Sequence, residues 1–311
     1  MNYRFLLFFV FFSMTAGFSQ NSLLWKGYFS YNHVTDLAQS DTRFLAASEN
    51  AVFSKNLSTN EIKTINTIDG LSSQVISAIY YSTATQKTYI GYENGLMIVI
   101  SADGSIRNVV DIISKQIPPN IKKINHFMEH EGILYLSCDF GITQYNMTTM
   151  QFGDTYFIGT GTAEIVVSQT AFFNGFIYAA TTSEGLKRAD ITNPDLIDAG
   201  QWAPLLGGNF SGVETFEDNV FAVSANGSVS KSSNGIAFSG FGPPLSPSAV
   251  DIRATAGHLV ITTPTTIYIY NQQQALVLQL GNSQITSVSA SFTCATVISG
   301  TIFMGTQENG V

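Results

Sequence analysis

Bulky apolar and small residues alternate in short stretches along most of the chain, and each stretch ends at a turn residue. A clear example is Tyr89-Ile90-Gly91, which is followed by the turn Glu93-Asn94-Gly95. Such short alternating runs predict β-strands, and Asn-Gly supplies the positive φ that a tight hairpin needs. The same unit recurs six more times, with turn residues 39 to 46 residues apart at positions 51, 95, 141, 185, 227, 266 and 310. A strand-only repeat of about 40 to 45 residues is typical of the four-stranded blade of a β-propeller.

An apolar strand precedes each hairpin, and a fourth strand, such as residues 61–65, follows it. The inner strands are predicted at residues 34–37, 76–79, 124–127, 165–167, 213–216, 250–252 and 285–288. The fold class is therefore predicted to be all-β, a seven-bladed β-propeller of four-stranded antiparallel blades. Residues 25–31 look like an outer strand, and we expect this N-terminal strand to complete the last blade, because that removes exposed edges. Since the sequence stops one residue after Gly310, the seventh blade is expected to be truncated and to lack its third strand.

The first 19 residues have the pattern of a signal peptide. Arg4 precedes the apolar run 5–12, and Gly17-Phe18-Ser19 offers a small-residue cleavage site. This run is too short to span a bilayer. We therefore expect residues 1–19 to be removed, residues 20–311 to form the propeller domain, and the protein to be exported. No cysteine near the cleavage site could carry a lipid anchor.

Composition narrows the classes of function. Charged residues make up 12% of the chain, against about 25% in a typical globular protein, and the net charge is −8 without a cluster of basic residues beyond Lys122-Lys123 and Lys187-Arg188. Nucleic-acid binding, which needs a basic surface, is therefore not expected. No apolar stretch after the signal could form a transmembrane segment. Export would permit a disulfide between Cys138 and Cys294, but their places in the strand pattern favour two buried free thiols.

Several segments carry a resemblance to known propellers. Residues 67–73 with 89–96 resemble the repeats of two-component sensors. A wider set is similar to the PorZ family of the type IX secretion system of Bacteroidota, and the similarity runs from Trp25 to the end of the chain. The segments that carry it are residues 25–32, 48–53, 122–127, 152–159 and 188–194.

The resemblance to the PorZ family implies a function without catalysis or a cofactor. It implies two seven-bladed propellers and a C-terminal β-domain in the longer protein, which passes through the periplasm to the outer-membrane cell surface. There the family works in an attachment complex with the sortase PorU and with PorV and PorQ, and presents an anionic lipopolysaccharide to the sortase. Relatives in organisms with another surface glycan could take another ligand.

Two other classes of function stay open. One is the periplasmic sensor propeller of a hybrid histidine kinase, which requires a transmembrane helix and a kinase downstream. The other is a propeller enzyme, which requires convergent acids or a metal site at the axis. The sequence shows no such constellation, so we expect no enzyme and single out no catalytic, metal-binding or ligand-binding residue.

Some short motifs nevertheless suggest chemistry. Residues 126–130, His-Phe-Met-Glu-His, match a zinc-protease pattern that requires a helix; on a strand, residues four apart are about 13 Å from each other. We expect His126 on an inner strand, His130 in the following turn, Glu129 and Glu131 in a solvated turn, and no zinc. Asp139-Phe140-Gly141 is expected at a hairpin tip. Aromatic residues that could stack on sugars are expected instead to pack between blades in outer strands; they are Tyr80, Tyr81, Tyr268 and Tyr270.

Overall fold

The structure is a computed structural model that describes residues 31–40, 42–255, 257–285 and 290–311. These residues form antiparallel strands that follow one another in the order of the chain within each sheet. The first three sheets consist of β1 (Val34–Gln39), β2 (Arg43–Ser48), β3 (Val52–Asn56) and β4 (Ile62–Ile65); β5 (Ile76–Ser82), β6 (Lys87–Tyr92), β7 (Met97–Ile100) and β8 (Ile106–Val109); and β9 (Ile124–His130), β10 (Ile133–Cys138), β11 (Gly141–Asn146) and β12 (Gln151–Tyr156).

The second half of the chain continues the same pattern. Its sheets consist of β13 (Val167–Phe173), β14 (Phe176–Thr181), β15 (Leu186–Asp190) and β16 (Ala203–Leu206); β17 (Phe210–Phe216), β18 (Asn219–Ser224), β19 (Val229–Ser232) and β20 (Ser239–Gly240); β21 (Asp251–Thr255), β22 (His258–Thr262), β23 (Thr266–Asn271) and β24 (Leu276–Gly281); and β25 (Phe292–Ile298) with β26 (Thr301–Thr306). One short helix, α1 (Asp111–Ser114), lies between β8 and β9, and short 3₁₀ turns cover Pro119–Ile121, Ala199–Gln201 and Asn282–Gln284.

The first strands of all seven sheets form a closed ring. Each packs beside the first strand of the next sheet, and β25 packs against β1. A hydrophobic cluster fills each space between neighbouring sheets; the cluster between β25–β26 and the first blade contains Val34, Phe44 and Ile298. Phe44 stacks on Phe303 of β26 with ring centroids 4.3 Å apart. The fold is therefore an all-β propeller whose core is divided into layers between the blades.

Among the described residues the structure contains six complete four-stranded blades, so the predicted count of seven is not reached, whereas the seventh sheet is shorter than the others, in line with its predicted truncation. The seventh sheet contains only β25 and β26 among the described residues. The predicted outer strand at residues 25–31 lies outside the described residues except for its last residue, Tyr31. The backbone N–H of Gly310 donates to the carbonyl oxygen of Asn32 at 2.8 Å. A Cβ built on Gly310 would lie 3.1 Å from the carbonyl oxygen of Tyr31.

The third and fourth blades show what this contact means. In them the glycine of the hairpin turn, Gly141 or Gly185, has a positive φ, and a Cβ there would overlap the carbonyl oxygen of Tyr156 or Leu206. Tyr156 and Leu206 are the last residues of the outer strands β12 and β16. In both blades the end of the outer strand thus lies next to the turn glycine. Tyr31 lies next to Gly310 in the same way, so it occupies the position of an outer-strand end.

The strand bounds correct several predictions. In the seventh sheet the inner strand is β25, whereas residues 285–288 had been predicted; Ile285 is in a bend, and residues 286–289 lie outside the described residues. The inner strand of the fourth blade begins at Val167, that of the fifth at Phe210, and that of the sixth at Asp251. Cys138 and Cys294 are buried free thiols, as predicted.

Candidate functional site in the central channel

A cavity of about 500 Å³ lies at the centre of the ring. Every one of the seven inner strands contributes side chains to its wall. The polar members of this wall include Asp36, Tyr80, His126, Thr170, Glu214, Arg253 and Thr296. The cavity is thus the place where residues that are far apart in the sequence converge.

A β-bulge near the start of the inner strand recurs in six of the seven sheets. The bulged residue is always a small polar one: Thr35, Ser77, Asn125, Ser168, Ser211 or Thr293. A bulge bends a strand and redirects its side chains. The residues that directly follow the first, third and fourth of these bulges are Asp36, His126 and Gln169.

In four successive blades, from the second to the fifth, the bulged side chain ties its blade to the next one. The Ser77 hydroxyl donates to the carbonyl oxygen of Ile124 at 2.7 Å. The equivalent bonds are Asn125 Nδ2 to Val167 O at 3.0 Å, Ser168 Oγ to Phe210 O at 3.1 Å, and Ser211 Oγ to Ala249 O at 3.2 Å. In the first blade, by contrast, Thr35 donates within its own blade, to Ala47 O at 3.3 Å.

Arg253 joins the sixth blade to the first. Its guanidinium donates to both carboxylate oxygens of Asp251 at 2.9 and 2.8 Å, to Asp36 Oδ1 at 2.9 Å and to the carbonyl oxygen of Leu37 at 2.7 Å. The side chains of Arg253, Asp36 and Asp251 are 16 to 20% exposed. Although burial alone would lower the pKa of Arg253, the carboxylates of Asp251 and Asp36 raise it well above its ordinary value. Asp36 also accepts a hydrogen bond from the N–H of Ile79 in the second blade at 2.8 Å.

Glu214 is a carboxyl group of the cavity with a strongly raised pKa. Burial raises its pKa to about 7, although the N–H groups of Thr215 and Ala254 act in the opposite direction. Thr215 N donates to it at 2.8 Å, and the Gln169 amide donates at the longer distance of 3.4 Å. A group with this pKa changes its charge close to neutral pH.

The two histidines of the zinc-protease pattern have separate environments. His126 and His130 both lie in β9, so the expectation that His130 lies in the turn is wrong. His130 stacks on the Phe172 ring with centroids 3.8 Å apart. Burial, and then the positive charge of Arg253, lower the pKa of His126 to about 4. Its Nδ1 atom is buried without a hydrogen-bond partner. No three His, Cys, Asp or Glu side chains in the described part of the chain are grouped as a metal site would require.

Acids do converge at the axis, although the sequence shows no such constellation. Asp36, Glu129, Glu214 and Asp251 all line the cavity. Glu129 lies in β9 rather than in a solvated turn, and it accepts a hydrogen bond from the Tyr80 hydroxyl at 3.0 Å. The sequence did contain a signal for these axial acids. A carboxylate stands within an apolar inner strand, as in Val34-Thr35-Asp36-Leu37, although the chain has few charged residues.

The other predicted motifs have structural roles. Asp139 lies at the hairpin tip, as predicted, and its Oδ1 accepts a hydrogen bond from Asn125 at 2.8 Å. Tyr80 and Tyr81 lie on the inner strand β5 rather than on an outer strand. Tyr268 and Tyr270 lie on β23, and all four tyrosines pack against hydrophobic clusters between blades.

A second cavity, of about 600 Å³, lies beside the fourth blade. Glu184 there accepts hydrogen bonds from the N–H and hydroxyl of Thr160 at 3.0 to 3.1 Å and pairs with Lys187 at 2.6 Å. The hydrogen bond from Lys187 lowers the pKa of Glu184. Lys187 also donates to the carbonyl oxygen of Ile158 at 2.7 Å. These charges are thus paired with each other and hold loops together, unlike Glu214 in the channel.

Four-stranded blades arranged around a polar axial cavity define the chain as a β-propeller. The family model "TSS9, PorZ, N-terminal beta-propeller domain" matches residues 44–203, just over half of the 311 residues. The chain therefore belongs to the family of PorZ N-terminal β-propellers, a component of the type IX secretion system. Membership indicates a role connected with type IX secretion and a place in the cell envelope or at the cell surface.

Solved structures with the same fold include PorZ of Porphyromonas gingivalis, described as an essential bacterial surface component of the type IX secretion system. It matches with a TM-score of 0.75 and 17% identity over 92% of this chain, which spans 37% of the PorZ chain. The computationally designed protein Ika8 matches with a TM-score of 0.58 and 11% identity, over 90% of this chain and 95% of that one. BamB from Moraxella catarrhalis matches with a TM-score of 0.58 and 12% identity, over 91% of this chain and 83% of that one. At these identities the likeness concerns the fold alone.

A search of curated protein sequences found no match. None of the helices in the described ranges has the length and hydropathy of a membrane-spanning segment.

Proposed function

We propose that this protein is a non-enzymatic component of the attachment complex of the type IX secretion system. It is exported by the signal peptide at residues 1–19, crosses the periplasm and acts at the outer-membrane surface. There it scaffolds the complex and presents an anionic lipopolysaccharide to the sortase. The observation that carries this proposal is the match of the PorZ N-terminal propeller family over residues 44–203.

Two of the four axial acids, Asp36 and Asp251, are bonded in a way that makes them unsuitable as a catalytic pair. Glycosidase chemistry requires two carboxyl groups that are free to act on the two sides of one bond. Here Asp36 and Asp251 are both bonded to the same guanidinium, that of Arg253. Their lone pairs are thus used to hold two blades together.

The negative charge of the cavity makes it an unsuitable site for an anionic ligand. Four carboxyl groups and one guanidinium line it, so the phosphates of a lipopolysaccharide would be repelled. A more suitable pair of cations comes from the second blade. Lys87 and Arg107 both reach Met150, with the Lys87 Nζ 3.6 Å and the Arg107 Nη1 3.7 Å from its sulfur, and neither has a carboxylate partner among the described residues. We propose this basic pair as a contact for the anionic headgroup.

The partners of this chain are proposed to be the sortase PorU together with PorV and PorQ. Because the chain spans 37% of the PorZ structure, a second propeller and a C-terminal β-domain are proposed to share this work in the longer protein. The test is capture of tagged protein from outer membranes, combined with deletion of its gene. We expect PorU, PorV and PorQ to be captured, and cargo to lose its surface anchor in the deletion strain. Capture of a histidine kinase instead, with cargo still anchored, would favour the sensor alternative.

A binding experiment tests the lipid step. Purified protein is titrated at low salt with the organism's anionic lipopolysaccharide and with the same lipid after removal of its phosphates. We expect binding to the first only, weakened about tenfold in the double variant Lys87→Ala, Arg107→Ala. Lys63→Ala is the matched control, since the Lys63 side chain is 59% exposed and is not part of the pair. Equal binding of both lipids would contradict a charge-based contact.

A further inference from the structure

Met150 lies where the third blade packs against the second. It directly precedes β12, and its side chain contacts the hydrophobic cluster between these two blades. The sulfur accepts hydrogen bonds from Lys87 Nζ at 3.6 Å and from Arg107 Nη1 at 3.7 Å. Arg107 Nη2 also donates to the carbonyl oxygen of Met150 at 3.4 Å. Two cations of the second blade thus converge on one thioether of the third.

The turn that contains Met150 does not require a methionine. The φ of Met150 is 56°, in the left-handed region that glycine and asparagine adopt with less strain. Asn146 holds the turn, because its carbonyl oxygen accepts a hydrogen bond from Met150 N at 2.8 Å and its Oδ1 accepts from the N–H groups of Thr148 and Thr149. The methionine therefore contributes its side chain, which is placed against the two cations.

A thioether is a weak partner for two cations. Its sulfur is uncharged and a poor hydrogen-bond acceptor. A sulfoxide oxygen is a much stronger acceptor. A donor nitrogen about 2.8 Å from a sulfoxide oxygen, at the usual bent angle, lies about 3.7 Å from the sulfur. Lys87 Nζ and Arg107 Nη1 are at this distance from the sulfur of Met150, so both donors are already in place for the oxidised form.

Met150 is also more accessible than the methionines of the core. Met97 and Met147 are 0% exposed and Met128 is 8% exposed, whereas Met150 is half-buried. Met304 is half-buried as well, but it packs against the apolar cluster between the sixth blade and β25. Met304 therefore serves as an internal reference for a partly accessible methionine in apolar surroundings.

We propose that Met150 is a site of reversible oxidation, and that Lys87 and Arg107 promote the reaction and then bind the sulfoxide oxygen. The oxidant is hydrogen peroxide. A lone pair of the sulfur forms an S–O bond to one peroxide oxygen while the O–O bond breaks, and the departing hydroxide takes the proton of the new S–OH group to become water. The sulfur loses two electrons and the peroxide gains them. Methionine sulfoxide reductases reverse the change.

The two cations act on the charge that develops in this step. Negative charge appears on the departing oxygen, and donors beside the sulfur stabilise it. Removal of the cations should therefore slow the oxidation of Met150, although it uncovers the sulfur. Oxidation that depended on access alone would become faster. The inference does not rest on the proposed lipid contact of this basic pair, because no lipid takes part in the reaction.

The first measurement is the rate of oxidation of each methionine. The full chain is treated with dilute hydrogen peroxide, and peptide mass spectrometry follows the sulfoxide at each position. We expect Met150 to react at least about tenfold faster than the buried Met97 and Met147, because susceptibility follows exposure. Slow oxidation of Met97 and Met147 in every variant also shows that the fold is intact.

The decisive comparison uses the double variant Lys87→Ala, Arg107→Ala. In it the rate at Met150, relative to that at Met304, should fall at least about threefold. Lys63→Ala is the matched control, since this lysine is 59% exposed and is not part of the pair, and it should leave the ratio unchanged. An unchanged or higher ratio in a folded double variant would overturn the proposal.

Urea denaturation tests the contact of the sulfoxide. Oxidation should leave the midpoint of the unmodified chain unchanged or raise it, because the new oxygen of Met150 meets two donors. In the double variant it should lower the midpoint, because the same polar oxygen lies beside an apolar cluster without them. Met304 is present in both proteins, so its oxidation cancels in the comparison. An equal change of midpoint in both proteins would also overturn the proposal.

Discussion

The ring can be divided into two arcs that differ in how their blades are linked. Neutral hydrogen bonds link the blades of one arc, and an ion pair links the blades of the other. From the second blade to the sixth, hydroxyl or amide groups at the bulges, such as those of Ser77 and Ser168, donate to a carbonyl oxygen of the next blade. From the sixth blade through the two-stranded sheet to the first, the Arg253 guanidinium reaches across to Asp36. Neutral bonds repeated at each step thus join complete blades, whereas a largely buried ion pair spans the seventh sheet, of which β25 and β26 are the described strands.

The comparison shows that repeats of one architecture need not be held together by one interaction. A neutral hydrogen bond contributes about 1 kcal/mol, and its loss affects one pair of blades. Removing one member of a buried ion pair leaves an uncompensated charge and costs more. The arc that contains the two-stranded sheet should therefore depend on fewer and stronger contacts.

Replacement of Arg253 should have the largest effect. Arg253→Met leaves Asp36 and Asp251 buried without a cation, and we expect the free energy of unfolding to fall by about 3–5 kcal/mol. Urea denaturation measures this change, with Lys63→Met as an exposed control that should cost less than about 0.5 kcal/mol. A cost below about 1 kcal/mol for Arg253→Met would show that the ion pair does not hold this arc.

The next prediction concerns the pH dependence of stability that the carboxyl group of Glu214 causes. Its pKa is raised to about 7 from an ordinary value of 4.5, so the folded state binds more protons than the unfolded state between these values, and stability is lost as the pH rises through this range. Relative to the unmodified protein, Glu214→Gln should therefore gain up to about 3 kcal/mol between pH 4.5 and pH 8. His126 acts in the opposite direction: its pKa is lowered, so stability is lost as the pH falls below about 6.5 towards 4.

The pH experiment thus compares unmodified protein with Glu214→Gln by urea denaturation at several pH values. Because both proteins contain His126, its contribution cancels in the difference. A difference that does not change with pH would contradict the raised pKa of Glu214.

A third prediction concerns residues 25–31 and the seventh sheet, which belongs to the arc that Arg253 spans. The position of Tyr31 beside Gly310 matches that of an outer-strand end in the third and fourth blades, which supports the prediction that residues 25–31 are the outer strand of the seventh sheet. As the predicted outer strand, residues 25–30 would bury apolar and aromatic side chains, so their deletion from the mature chain should lower the free energy of unfolding by about 2–3 kcal/mol. An unchanged denaturation midpoint would place these residues outside the ring.

The smallest effect is expected in the arc of complete blades. Ser168→Ala removes a hydroxyl that lies 3.1 Å from Phe210 O and 3.0 Å from Ala180 O, and should cost about 1 kcal/mol. Thr35→Val is the control, because its hydroxyl bonds only within the first blade, and it should cost less. A larger loss for Thr35→Val, measured by the same denaturation, would reverse the order of the two contacts.

The period of the repeat and the hairpins could be predicted from the sequence because they depend on local patterns. Alternating side chains define a strand, and a glycine with positive φ, such as Gly141, defines a turn whatever surrounds it. The inner strand of the seventh sheet could not be located in this way. Residues 285–288 and Phe292–Ile298 both contain β-branched residues, and the inner strand is the second of them, which packs against β1 and β21.

The sequence by itself determined the propeller unit, its repetition, the resemblance to the PorZ family and the burial of both cysteines. Only the tertiary structure decided which charges meet at the axis, because Arg253 and Asp36 are 217 residues apart and become neighbours through closure of the ring. Local pattern records which face of a strand is apolar. It does not indicate which distant strand supplies the partner of a buried charge. That partner determines whether a carboxyl group such as Glu214 is neutral or ionised, and whether it is paired.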